Sequence, residues 1–303
     1  MSGPPVGVLV MAHGTPASLD DLPSFYTEIR RGRPPSPEQL TDLERRYVAI
    51  GGTSPLNEIT RAQAAGIQDA LDALEPGAFT VAAGSRFASP RIEEALATLV
   101  GRGVGRVVGL VLTPHSSRAS VAEYERRAGA AADAGGTALR MVDHWWDVPG
   151  FDTLVARRVR LALEAVPGSR VVYSAHSIPA ALVTAGDDYP EQVRASAGIV
   201  SAAAGLAGWT VAFQSAGRTD DEWLGPDLRA VIGELAADGA PGVVVCPIGF
   251  VADHLEVLYD VDVEARAAAE QAGIAFGRTD SLNAEPDFCA LLARVVASAA
   301  VPA

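Results

Sequence analysis

Short runs of apolar, mostly β-branched residues alternate with alanine-rich segments along this chain of 303 residues. The apolar runs fit buried strands and the alanine-rich segments fit helices. Strands that alternate with helices form parallel βαβ units, so the pattern predicts α/β architecture with open, doubly wound sheets. The predicted strands lie at 6–12, 79–83, 106–113, 170–174, 209–213 and 243–248. The predicted helices lie at 38–49, 58–74, 91–102, 119–134, 151–165, 190–207, 226–238, 262–272 and 284–299.

A short internal repeat indicates two similar halves. Val8–Pro16 reads VLVMAHGTP, and Val171–Pro179 reads VVYSAHSIP. Each segment is a predicted strand that ends in Ala-His and is followed, three residues later, by proline. The repeat therefore places His13 and His176 at equivalent strand ends, facing one cleft between two domains.

The length also suits two domains of about 150 residues each. A Pro/Gly-bearing stretch at 147–150 combines a turn signal with a central position. We expect an N-terminal domain at 1–148 and a C-terminal domain at 149–283. The C-terminal helix within 284–303 is expected to pack back on the first domain.

Composition excludes several classes of protein. The net charge of −13 argues against general nucleic-acid binding. Two cysteines, Cys246 and Cys289, cannot form a four-cysteine zinc or iron–sulfur site. Because no apolar run reaches 18 residues and the N-terminus lacks a basic leader pattern, we expect a cytoplasmic protein without a membrane span.

Three carboxylates follow the apolar run at 243–250. Glu256, Asp260 and Glu264 are spaced four residues apart, which on an α-helix places them along one face. Like charges at this spacing repel one another, so the stripe indicates either a solvated acidic face or a place where metal ions or protons are handled. Its position at the carboxyl end of a buried strand favours the second interpretation. We also expect the neighbouring carboxylates to raise the pKa of Glu256.

The five histidines differ in their sequence context. His176, His13 and His115 follow predicted strands and precede turns, so they are candidates for a site. His144, beside two tryptophans, is predicted to have a packing or capping role. His254 is expected to make a structural hydrogen bond, because on a helix its side chain would point about 200° away from Glu256.

Arginines are concentrated between residues 30 and 46. Arg30, Arg31, Arg33, Arg45 and Arg46 lie within 17 residues, and the chain contains no lysine. The cluster is either a solvated segment that pairs with nearby acids or a clamp for the carboxylates of an anionic small molecule. Guanidinium groups suit the second role because they bind carboxylates bidentately.

A set of ordered motifs resembles the ferrochelatases along nearly the whole chain. The motifs are Gly14-Thr15-Pro16, Ile50-Gly51-Gly52 with Ser54-Pro55-Leu56, Ser174–Pro179, Asp188-Tyr189-Pro190, Phe213-Gln214-Ser215, Trp223–Pro226, and Gly249-Phe250-Val251 leading into Asp253–Glu256. The segments Arg30–Arg33 and Thr113–Ser117 are most similar to the coproporphyrin III ferrochelatases of Gram-positive bacteria.

This resemblance implies two Rossmann-like domains with a tetrapyrrole between them. The implied reaction inserts Fe²⁺, as a substrate, into coproporphyrin III to give coprohaem, which passes to the next enzyme of haem biosynthesis. It also implies that His176 and Glu256 handle the metal, with Asp260 and Glu264 as an outer metal site. The implied porphyrin-binding residues are His13, Arg30, Arg46, Tyr47, Ser54 and Tyr124. We expect a monomer with no permanently bound cofactor and no iron–sulfur cluster.

Three positions depart from the pattern of the resembling family. His13 stands where the coproporphyrin enzymes usually carry tyrosine, and we predict that it ligates the iron of the product. Arg86 and Phe87 replace a lysine–histidine pair, which argues against a second metal route there. The alternatives are a protoporphyrin IX ferrochelatase, a cobalt or nickel chelatase of the same fold, and a non-catalytic carrier of tetrapyrrole or metal.

Overall fold

Each half of the chain contributes four strands in the computed structural model, which describes residues 3–118, 120–217, 219 and 221–301. The first half comprises β1 (Val6–Ala12), α1 (Leu22–Ile29), α2 (Pro37–Ala49), α3 (Leu56–Leu74), β2 (Phe79–Ser85), α4 (Ile92–Gly101), β3 (Arg106–Val111), α5 (Val121–Gly135) and β4 (Ala138–Val142). Its strands pair in the order β2-β1-β3-β4, all parallel.

The second half repeats this arrangement. It comprises α6 (Phe151–Ala165), β5 (Arg170–His176), α7 (Ala180–Thr184), α8 (Tyr189–Ala204), β6 (Trp209–Gln214), α9 (Leu228–Ala237), β7 (Gly242–Cys246), α10 (Leu255–Leu258), a π-helix (Asp260–Ala265), α11 (Arg266–Gln271), β8 (Ala275–Arg278) and α12 (Pro286–Ala300). The strand order β6-β5-β7-β8 matches that of the first sheet. The predicted fold class is therefore confirmed.

The first strand of each sheet is buried on both faces. In β1, Val8 and Val10 join the hydrophobic cluster that contains α3 and α12 residues, whereas Leu9 and Met11 join the cluster formed with α4 and α5. Successive side chains of a strand point to opposite faces, so a continuous apolar run is what a sheet covered by helices on both sides requires.

Helix α12 lies against α3 of the first half. The Sγ atom of Cys289 lies 3.9 Å from the carbonyl oxygen of Gln63, and the Gln63 Nε2 atom donates to the Asn283 carbonyl. Both cysteines are buried and free. The domain limits given above stay a prediction. In the part of the chain that the structure describes, no helix is long and apolar enough to cross a membrane.

The acidic stripe does not lie on one continuous α-helix, so the condition for a shared helical face is not met, and regular α-helix covers only part of the helix predicted at 262–272. One turn of α-helix, α10, is followed by the π-helix, in which the amide of Glu264 donates to the Tyr259 carbonyl five residues earlier. Regular α-helix resumes only at Arg266. A π-segment widens the turn and changes where successive side chains point, and such segments are frequent at functional sites.

Candidate active site

The carboxyl ends of the strands form the edge at which the predicted site residues gather. In each sheet the chain leaves the first strand toward one side and returns on its other side, so β1 and β5 border the topological switch points. Open α/β sheets bind ligands in the crevice at such points. His13 follows β1 directly and His176 ends β5, as the internal repeat predicts.

His176 and Glu256 form an ion pair at the end of β5. The Nε2 atom of His176 lies 3.3 Å from Glu256 Oε1, and about a third of each side chain is exposed. The His176 Nδ1 atom hydrogen-bonds the Ser177 carbonyl, which directs Nε2 toward Glu256. The Tyr189 hydroxyl donates to the His176 carbonyl at 3.1 Å and fixes the backbone of the strand end. The structure thus brings together the two residues expected to handle the metal.

The pair changes the pKa of both members. Desolvation alone would lower the pKa of His176, but the charge and hydrogen bond of Glu256, with the Ser177 carbonyl, raise it to about 9. Desolvation would raise the pKa of Glu256, yet His176 and His254 hold it well below its usual range. The expectation of a raised pKa at Glu256 was therefore wrong, because the two histidines outweigh the effect of desolvation.

Asp260 is the carboxyl group whose pKa is raised instead. It is buried, and desolvation together with the charge of Glu256 raises its pKa to about 6. The Ser215 hydroxyl donates to its Oδ2 atom, and the Arg46 guanidinium lies 3.4 Å from its Oδ1 atom. Asp260 can therefore change protonation near neutral pH, next to the His176–Glu256 pair.

Arginines already neutralise the predicted outer metal site. Arg46 contacts Asp260 and also lies 3.9 Å from Glu264 Oε1. Arg229 lies 3.7 Å from the other oxygen of that carboxylate, Glu264 Oε2. Among the described residues, no group of three histidine, cysteine, aspartate or glutamate side chains has a geometry that could hold a metal ion. The four predicted metal residues therefore approach one another without forming a ready-made cage, and their roles stay predictions.

The arginines of segment 30–46 do not act as one cluster. Arg46 also pairs with Asp42 at 3.4 Å and lies over the Tyr259 ring, so its charge is shared among acids of both halves. Arg45 pairs with Asp42 at 2.8 Å. Arg30 lies over the Tyr26 ring and donates from Nε to the Arg33 carbonyl. The pairs of Arg45 and Arg46 with acids of the protein fit the first interpretation, and a clamp for an anionic small molecule stays a prediction.

Tyr47, Ser54 and Tyr124 are all buried in the first half. The Tyr47 hydroxyl hydrogen-bonds the Thr15 hydroxyl at 2.9 Å, and burial raises its pKa to about 12. Ser54 Oγ accepts from the amide of Leu56 at the start of α3. Tyr124 lies under the Arg86 guanidinium, and burial raises its pKa to about 12 as well. Both tyrosines are therefore neutral hydroxyl groups at neutral pH.

His13 lies at the corresponding position of the first half. Its Nδ1 atom hydrogen-bonds the Gly14 carbonyl at 2.9 Å, and its ring packs against Phe87 at 4.7 Å and Phe25 at 6.2 Å between centroids. Desolvation by the neighbouring protein lowers the pKa of His13 to about 4 although the residue is exposed, and the charge of Glu256 raises this pKa only in part. His13 is therefore a neutral imidazole with an available Nε2 atom, electrostatically coupled to the acidic side of the cleft.

The remaining histidines only partly match their expected roles. His254 hydrogen-bonds the Ala252 carbonyl, as predicted, but its Nε2 atom also lies 3.4 Å from Glu256. The prediction that it points away was wrong, because His254 has an extended backbone and caps α10 instead of lying within it. His115 is fully buried between the rings of Trp146 and Tyr189, and neither of its ring nitrogens has a partner among the described residues. His144 lies 3.8 Å from Asp147.

The ferrochelatase family model matches residues 5–300, which is nearly the entire chain.

The chain belongs to the ferrochelatase family.

Known relatives match the sequence of this chain along nearly its whole length. The coproporphyrin III ferrochelatase of Bacillus subtilis (strain 168) is 40% identical over 304 residues, with 98% of each chain covered. The coproporphyrin III ferrochelatase of Geobacillus kaustophilus is 41% identical over 298 residues, with 96% of this chain and 94% of the relative covered. The sirohydrochlorin chelatase SirB of Bacillus subtilis subspecies spizizenii, solved with cobalt, has a TM-score of 0.60 at 11% identity, with 98% and 95% covered. That likeness shows the shared fold.

A cavity of 1720 Å³ adjoins the site. It is lined by Phe87, which packs against His13, and by Pro179, Leu182 and Trp223 of the second half, whereas among the described residues neither His176 nor Glu256 lines it. The same cavity is lined by Arg31, Arg86 and Arg118. No sequence signal marks Leu182 or Arg118, because their position depends on how the two halves meet.

Proposed function

We propose that this protein inserts Fe²⁺ into coproporphyrin III to form coprohaem. The observation that carries the proposal is the His176–Glu256 pair at the carboxyl end of β5, which is partly exposed and electrostatically coupled to His13 of the other half. The coproporphyrin substrate is supported by relatives of that name at about 40% identity. Because inserting iron replaces two pyrrole protons, the site needs a weak metal ligand set and proton acceptors together.

His176 and Glu256 supply the ligand set in this proposal. Imidazole and carboxylate bind Fe²⁺ without the strong retention that several thiolates would give. A pKa of about 9 keeps His176 protonated at neutral pH, so Fe²⁺ must displace that proton before Nε2 can bind it. Metal loading is therefore coupled to proton release at His176.

Asp260 is the proposed proton acceptor next to this pair. Its pKa of about 6 allows it to take up and release protons at neutral pH, whereas the lowered pKa of Glu256 makes that group a weaker base. Glu264, which is partly exposed, continues the path toward solvent. Asp260 and Glu264 would attract incoming Fe²⁺ once the Arg46 guanidinium moves away from both carboxylates.

The first half binds the macrocycle in this proposal. His13 is the iron ligand on the face opposite His176, because its neutral Nε2 atom is not used by the turn. The residues proposed to contact the ring or its propionates are Arg30, Arg46, Tyr47, Ser54 and Tyr124.

The other properties that we propose follow from composition and family. No iron–sulfur cluster or other resident cofactor is needed, since two buried cysteines cannot supply a cluster's four thiolates. Free thiols are typical of a reducing compartment, so we place the protein in the cytoplasm. It acts as a monomer and transfers coprohaem to the enzyme that uses it.

The test is anaerobic Fe²⁺ insertion followed by absorbance, with coproporphyrin III and protoporphyrin IX side by side. We expect turnover with coproporphyrin III to exceed turnover with protoporphyrin IX. Preference for protoporphyrin IX, or for Co²⁺ or Ni²⁺ over Fe²⁺, would replace the proposal with another chelatase activity. Porphyrin binding without insertion of any of these metals would identify a carrier.

A further inference from the structure

The cavity that adjoins His13 through Phe87 carries net positive charge in a strongly negative protein. Five arginines and three glutamates line the 1720 Å³ cavity, an excess of two positive charges, although the chain as a whole carries −13. Such a local field attracts anions to a surface that would otherwise repel them. The excess therefore indicates an anionic ligand, and its sources can be traced to individual residues.

Ion pairs account for each of the three glutamates. Glu93 pairs with Arg127 at 2.7 Å and Glu123 with Arg126 at 2.6 Å, and both of these arginines line the cavity. Glu28 pairs at 2.7 Å with Arg91, which is not among the lining residues, so three arginines of the lining remain after these pairs.

The arginines of the cavity that remain are Arg31, Arg86 and Arg118. Within the described ranges, none of the three has a carboxylate ion-pair partner. Arg86 lies over the rings of Phe87 and Tyr124 instead. Positive charge in the cavity is therefore left unneutralised at three guanidinium groups.

Arg118 is held in place by contacts from the second half. Its amide donates to Asp187 Oδ2 at 2.8 Å, and its Nη2 atom donates to the Ala185 carbonyl at 2.7 Å. Asp187 is buried, and its other oxygen accepts from the amide of Tyr189. These contacts fix the Arg118 loop, which follows β3 of the first half, against the segment between α7 and α8.

The Arg118 guanidinium keeps several donors for a ligand. Of its five N–H groups, the Ala185 carbonyl accepts from Nη2. The apolar side chains of Pro179, Leu182 and Trp223 line the same cavity. A fixed guanidinium beside an apolar wall matches a flat apolar ring that carries carboxylates at its edge. Each guanidinium can bind such a carboxylate bidentately.

We infer that Arg118 is a substrate-binding residue that, with Arg31, binds propionate carboxylates and favours a porphyrin with four of them over one with two. This inference rests on the proposed function and specifies its substrate selectivity. It adds arginines without a carboxylate partner to the proposed propionate contacts, whereas Arg46 must leave Asp42, Asp260 and Glu264 to bind a propionate.

The test measures metal-free porphyrin binding by fluorescence quenching. In Arg118→Ala, we expect coproporphyrin III to bind about tenfold more weakly, because a charge-assisted hydrogen bond is lost. Binding of the uncharged tetramethyl ester should stay within twofold of wild type. Arg118→Lys should recover part of the affinity, since it restores charge without the planar fork.

The matched control is Arg126→Ala. Arg126 lines the same cavity, but Glu123 already neutralises it, so coproporphyrin binding should stay within twofold. Unchanged coproporphyrin binding in Arg118→Ala would overturn the inference, as would equal losses for acid and ester. Thermal unfolding of each variant separates loss of binding from loss of folding.

Wild-type iron insertion, measured in parallel, separates this inference from the proposed function. If the wild type binds coproporphyrin but inserts no metal, the proposed function fails while the Arg118 result stands. If the wild type inserts iron and Arg118→Ala binds normally, only the Arg118 assignment fails.

Discussion

Replacing Glu256 by glutamine should release His176 from its ion pair. The difference between a pKa of 6.5 and one of about 9 corresponds to about 3.4 kcal/mol of interaction at His176. This is an upper limit, because 37% of the His176 side chain is exposed and solvent screens the pair. We therefore expect a loss of about 1–2 kcal/mol and a fall of about one unit in the pKa of His176.

The measurement is an NMR titration of the histidine ring nitrogens in the metal-free protein. His176→Ala identifies the signal, which should titrate near pH 9 in the wild type and clearly lower in Glu256→Gln. Glu264→Gln is the control, since that carboxylate contacts Arg46 and Arg229, and should leave the signal in place. A His176 pKa that stays near 9 in Glu256→Gln would refute the ion-pair explanation.

The same pair gives a direction to the pH dependence of stability. The contribution of His176 is fully present below its unfolded pKa of about 6.5 and is lost as pH rises through about 9. The contribution of Glu256 is present above its unfolded value of about 4.3 and is lost as pH falls through its lowered pKa. Stabilisation of wild type relative to Glu256→Gln should thus be greatest between about pH 4.3 and 6.5. Urea unfolding of both proteins at several pH values measures this difference in the free energy of unfolding.

Five further variants test the proposed roles. His176→Ala should abolish metal insertion while porphyrin binding stays within about tenfold of wild type; anaerobic turnover above a tenth of the wild-type rate would remove His176 from the mechanism. Arg30→Ala and Arg46→Ala should each weaken coproporphyrin binding about tenfold, through loss of a charge-assisted hydrogen bond, and should leave binding of the tetramethyl ester unchanged; similar losses for both ligands would contradict propionate binding. His13→Tyr should add a phenolate charge-transfer band to the ferric coprohaem spectrum, whereas an unchanged spectrum in His13→Ala would limit His13 to its hydrogen bond with Gly14.

Much of the fold could be predicted from the apolar runs and from the internal repeat. Six of the strands appear as apolar, β-branched runs, because a parallel sheet covered by helices must be apolar on both faces. Strands β4 and β8 escaped prediction, since their short sequences, Ala138–Val142 and Ala275–Arg278, are interrupted by arginine or glycine. Each lies at a sheet edge with one paired neighbour, where sequence requirements are weaker. The repeated Ala-His at strand ends was enough to place His13 and His176 at matching positions.

The pKa shifts of Glu256 and Asp260 could not be predicted from the sequence, because they depend on tertiary contacts. The carboxylate spacing marked Glu256 and Asp260 as a pair of interest, but which of them gains the higher pKa depends on His176, His254 and Arg46. His176 and Arg46 come from distant parts of the chain, and the contact of nearby His254 with Glu256 depends on its extended backbone at the start of α10. The pKa of a group responds to distance in space and to burial, not to sequence separation.

By itself, the sequence determined the alternating strands and helices, the two similar halves and the strand-end histidines, because these follow from local periodicity and short motifs. Only the tertiary structure decided that a π-helix carries part of the acidic stripe, that Arg46 pairs across the two halves with Asp260, and that Arg118 lines the 1720 Å³ cavity. The physical reason is that ion pairs and cavities are set by which distant surfaces meet, and a side chain's neighbours in space are not encoded by its neighbours in sequence.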